Sequence, residues 1–108
     1  MTGGTTAKPS GLSFRQLLEN GGFPIGVEIV STRGFPANPG DAPPIILARE
    51  LLSHPGVGWL SITDNPGGNP MLPADWIAQF LSHDRDRVVI HMTCKDANRA
   101  GLESLAWR

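Results

Sequence analysis

Three short stretches carry residues able to do chemistry. "VEIV" sets Glu28 among apolar neighbours, "SIT" presents Ser61 and Thr63, and "HMTC" presents His91, Thr93 and Cys94 within four positions. An acid in an apolar strand is costly to bury unless it is paired, protonated or used. Desolvation would favour its protonated form, which makes Glu28 a candidate general acid. His91 can titrate, or donate a hydrogen bond from a fixed tautomer. Cys94 precedes a helix start, where a thiol can be activated, but no base accompanies it locally. It reads as a small packing residue. Asp96 reads as a helix cap rather than a reacting group. Asp64 and Asn65 directly follow Thr63 and are placed to contact a ligand from a loop.

The elements that position these residues follow from periodicity and turn chemistry. "SFRQLLENGG" has Ser13 and Gln16 at capping-box spacing and a Gly-Gly stop, so a short helix is expected. Residues 23–30, 57–63 and 87–93 read as strands. The runs "IILARELLSH" (apolar at Ile46, Leu47, Leu51 and Leu52), "ADWIAQFLSH" (Trp76, Ile77, Phe80 and Leu81) and "DANRAGLESLAW" read as helices. Pro- and Gly-rich loops separate them. Strand starts recur about every 30 residues, the length of a strand, crossover helix and return, so a parallel sheet is expected.

Splitting each strand by parity gives one apolar face and one that carries Glu28, Ser61, Thr63, His91 and Thr93. All five lie toward the C-terminal halves of their strands, where parallel sheets and barrels assemble sites.

Composition narrows the class. The chain has 108 residues, 40% of them hydrophobic and 18% charged, with a net charge of -1. These values are ordinary for a soluble globular domain. Nine Lys and Arg are scattered rather than clustered, so nucleic acid is not an expected partner. No apolar run nears the roughly 18–20 residues of a membrane span. One cysteine gives neither an internal disulfide nor a zinc site, which fits a cytoplasmic location. The glycine-rich loops match no phosphate-binding spacing. Residues 1–11 read as a flexible tail, and residues 12–108 as an incomplete domain, because three strands are fewer than an open sheet or a barrel uses.

With these residues in place, the chain resembles the N-terminal part of the methylenetetrahydrofolate reductase family. The likeness rests on "VEIVSTRG", "SITDNP" and "HMTCKDANRAGLES", in that order. It implies the first three βα units of a TIM-type (β/α)8 barrel, truncated after the third strand and helix. It also implies FAD as cofactor, NAD(P)H as reductant and 5,10-methylenetetrahydrofolate as substrate. Glu28 would assist opening of the folate ring, and Thr63 and His91 would line the flavin side; Asp64, next to Thr63, is expected as a further cofactor contact from its position alone. The chain departs from the family pattern where Ile29, Val30 and Ser31 replace aromatics and prolines, and where Asp64, Asn65 and Pro66 replace an aromatic and glycine. Two alternatives stand beside this reading. One is another pterin or one-carbon barrel enzyme such as a methyltransferase. The other is a non-catalytic piece completed by a partner chain or a homo-oligomer.

Overall fold

The computed structural model describes residues 12–95 and 97–107. The expected tail, 1–11, lies outside them. The element order is α1 (Phe14–Glu19), β1 (Gly26–Ile29), α2 (Pro43–Ser53), β2 (Trp59–Ile62), α3 (Ala74–Ala78), β3 (Val88–Ile90) and α4 (Arg99–Ala106), with 3-10 turns between them. The strands form one parallel sheet in the order β1-β2-β3. The expectation of an α/β chain with a parallel three-strand sheet is met.

Local chemistry explains most boundaries. Ser13 caps α1 through its hydroxyl, and the Gln16 side chain returns the bond to the Ser13 N–H at 2.9 Å. That is the capping box read from the sequence. α2 starts two residues earlier than the apolar run, on Pro43 and Pro44, because proline fits a first helical turn whose N–H groups have no intrahelical partner. α3 gives way after five residues to a 3-10 stretch, Gln79–Arg87, broken at Leu81 and Asp84. Asn98, not Asp96, caps α4, its side chain accepting from the Gly101 N–H at 2.8 Å. Asp96 itself lies outside the described residues.

One face of the sheet is packed under helices. Ile29, Leu60 and Ile62 meet Ile45, Ala48 and Leu52 of α2, and Ala74, Ile77 and Leu81 of the α3 segment. Both crossover helices therefore cover the same face. Ala48 and Ala74 are buried in this core, and Trp76 meets Phe80 edge-on with ring centroids 5.2 Å apart.

The buried stripe of α2 is Ile45, Ala48 and Leu52, while Ile46 and Leu47 are exposed, contrary to the stripe read from the sequence. Ile45, Ala48 and Leu52 share one helical face at i, i+3 and i+7, and that face is the one that meets Ile29, Leu60 and Ile62 of the sheet. The apolar parity set is also only partly buried. Ile25, Ile90 and Met92 are exposed, because the sheet ends at β1 on one side and β3 on the other. Parallel strands are ordinarily covered on both faces and paired on both edges.

Candidate functional site

Of the residues singled out by parity, Glu28, Ser61, Thr63 and His91 lie on the sheet face that α2 and α3 leave uncovered, whereas Thr93 lies in the loop after β3. Register aligns Glu28 with Ser61, and Ser61 with Val89, so these three form one row across the sheet. Beyond the last paired residues the chains stay joined. The Thr63 N–H donates to Ile29 O at 3.1 Å, and the His91 N–H donates to Ile62 O at 3.0 Å. Thr63 and His91 are thus held side by side one row nearer the C-terminal rim. Thr63 is buried, and its hydroxyl donates to Ile29 O at 3.4 Å, which leaves its lone pairs free to accept. His91 is half-buried.

Glu28 corrects the sequence reading. It is exposed, not buried, with no hydrogen-bond or ion-pair partner among the described residues. The reason lies in the sheet: β1 is an outer strand, and nothing described covers its helix-free face at that row. Cys94 is exposed as well rather than packed.

The lower end of the face is closed. The Trp59 ring lies over Gly26, where any Cβ would overlap its six-membered ring. Phe14 of α1 stacks on Trp59 with centroids 5.0 Å apart at 55°. Only glycine permits that approach, so "PIGV" carries a packing requirement beyond turn chemistry. Trp59 and Phe14 therefore bound the face at the N-terminal ends of the strands.

At that rim the loops are knit together. The Leu72 N–H donates to Thr32 O at 2.8 Å, which joins the loops after β1 and β2. Asp64 Oδ2 accepts the Thr93 N–H at 3.0 Å and joins the loops after β2 and β3. Asn65, in the left-handed region at φ 46°, accepts the Met71 N–H at 2.8 Å through Oδ1. Asp64, expected as a ligand contact, spends one oxygen on the rim itself. It remains half-exposed beside Thr63.

Two residues escaped the sequence reading. Arg87, read as the start of a strand, is buried at the opposite end of the sheet. Its Nε donates to Gly58 O at 3.1 Å, Nη1 to Leu52 O at 3.1 Å and Nη2 to Val57 O at 2.8 Å, and Nη1 also pairs with Asp84 at 3.2 Å. It fastens the corner between α2 and β2, and no spacing pattern announces that. Ser31 is buried, and its Oγ has no hydrogen-bond partner among the described residues. The signal for it was a lone serine after an apolar strand.

Open grooves follow both unpaired edges. One, of about 400 Å³, runs along β1 between Glu28, Val30, Pro43 and Leu47. The other, of about 550 Å³, lies between Val88, Ile90 and Met92, the helix after β2, and Leu105.

The described residues suit part of a flavin only. Thr63 and His91 could meet the polar edge of a ring. Free N–H groups at a helix start are a ready-made site for a pyrophosphate. α2 opens on two prolines, α3 follows Pro73 and places Asp75 in its first turn, and the Asn98 side chain already occupies the start of α4. No group of three or more metal-ligating side chains gathers among the described residues, and no described helix is long and apolar enough to cross a membrane. No family model, no curated protein and no solved structure matches the chain.

Proposed function

We propose that this chain is the first part of a flavin-dependent reductase acting on 5,10-methylenetetrahydrofolate, its three strands forming an arc of a (β/α)8 barrel. The observation that carries the reading is the placement of Glu28, Ser61, Thr63 and His91 on the helix-free face, toward the C-terminal ends of the strands. In a closed barrel that face is the lumen and that end holds the chemistry. Sequential strand order with both crossover helices on one face suits a barrel arc and equally one half of a doubly wound sheet. The likeness of "VEIV", "SIT" and "HMTC" to the reductase family favours the barrel.

In this reading FAD supplies hydride transfer, with NAD(P)H as the reductant. Thr63 offers an acceptor oxygen to a ring N–H, His91 flanks it, and Asp64 holds the rim in shape. Glu28 delivers the proton that opens the folate ring. Closure of the lumen over Glu28 would give it the desolvated setting of a general acid. The pyrophosphate would be held by elements that pair with the open edges.

The test is Glu28→Gln in the assembled enzyme, with the two half-reactions followed anaerobically by flavin absorbance. Bleaching by NAD(P)H should persist, while reoxidation by methylenetetrahydrofolate should fall by about 10²-fold or more, the scale of a general acid. Equal loss of both half-reactions would make Glu28 structural and overturn the assignment.

The prolines at the starts of α2 and α3 favour a second reading, a pterin or one-carbon enzyme without flavin, such as a methyltransferase. A colourless protein that binds tetrahydrofolate tightly would support it against the first. The two open edges favour a third, a non-catalytic piece completed by a partner chain. A compact monomer that melts cooperatively alone would count against that.

A further inference from the structure

We draw no further inference here: the strongest candidate, the groove of about 400 Å³ along the unpaired edge of β1 between Glu28, Ser31, Pro43 and Leu47, carries nothing, because the Ser31 hydroxyl that would anchor a ligand is sealed from solvent and nothing in the structure shows what covers the groove's apolar remainder.

Discussion

Replacing Arg87 with methionine keeps much of the side-chain volume and removes every donor. In the folded chain the guanidinium is 4% exposed and serves the carbonyls of Leu52, Val57 and Gly58 at once. Each hydrogen bond to a charged donor is worth about 1.5–3 kcal/mol, and an abandoned buried carbonyl keeps its desolvation penalty. The corner can relax and admit some water, so the net loss should resemble that for breaking a buried charged network, about 3–5 kcal/mol. A domain of this size has only about 5–15 kcal/mol in all. Lysine should be intermediate, because one ammonium cannot fan toward three carbonyls as a planar fork does. Asp84→Asn should cost under about 1 kcal/mol, since the Asp84 side chain is 29% exposed and water can serve it. Urea titration followed by far-ultraviolet circular dichroism measures all three. If methionine costs less than about 1 kcal/mol, or if asparagine at 84 costs as much as methionine at 87, the fastening role of the main-chain contacts is wrong.

Other substitutions probe the remaining features. Gly26→Ala should destabilise by about 1–3 kcal/mol as the Trp59 ring is forced aside, and a thermal melt within a degree of wild type would refute the overlap. Ser31→Ala removes a buried hydroxyl without a partner among the described residues, so it should leave stability unchanged or raise it by up to about 1 kcal/mol in denaturant titration. Asp64→Ala should speed hydrogen exchange at the Thr93 amide several-fold while leaving Leu60 and Ile62 protected; unchanged exchange at Thr93 would remove the rim bond from the account. Leu47→Asn, on an exposed groove wall, should shift stability by no more than about 0.5 kcal/mol in the chain alone, whereas a cost above about 2 kcal/mol would mean that the groove is covered in solution.

The parts of the fold legible in the sequence are those fixed by neighbours along the chain. Ser13 and Gln16 lie three apart and needed only each other, and the 30-residue spacing of strands constrains topology before any contact is known. Ile77 is buried as its helical face predicts, and Leu81 is buried beside it although the helix has ended by then. What depended on distant partners was hidden. Burial of Glu28 was inferred from its apolar neighbours, but exposure is set by what lies across the strand, and β1 has a neighbour on one side only. The bonds of Arg87 reach back 29 to 35 residues to carbonyls, which carry no sequence signature. For the candidate site, parity identified the shared face and register supplied the rows. The bond from Asp64 to Thr93 could not be foreseen, because it depends on how two loops meet.

The overlap that Gly26 avoids beneath Trp59 bears on how this sequence can drift. A side chain at residue 26 becomes tolerable only after residue 59 has shrunk. Shrinking residue 59 first leaves a void under Phe14, and loss of a packed tryptophan commonly costs about 3–5 kcal/mol. Either order passes through a weakened intermediate, so the two positions should change together or not at all. Gly26→Ala combined with Trp59→Leu should then cost less than the separate losses added together. A pair 33 positions apart is in this way inherited as one unit, and it sets the floor beneath the row that carries Glu28 and Ser61.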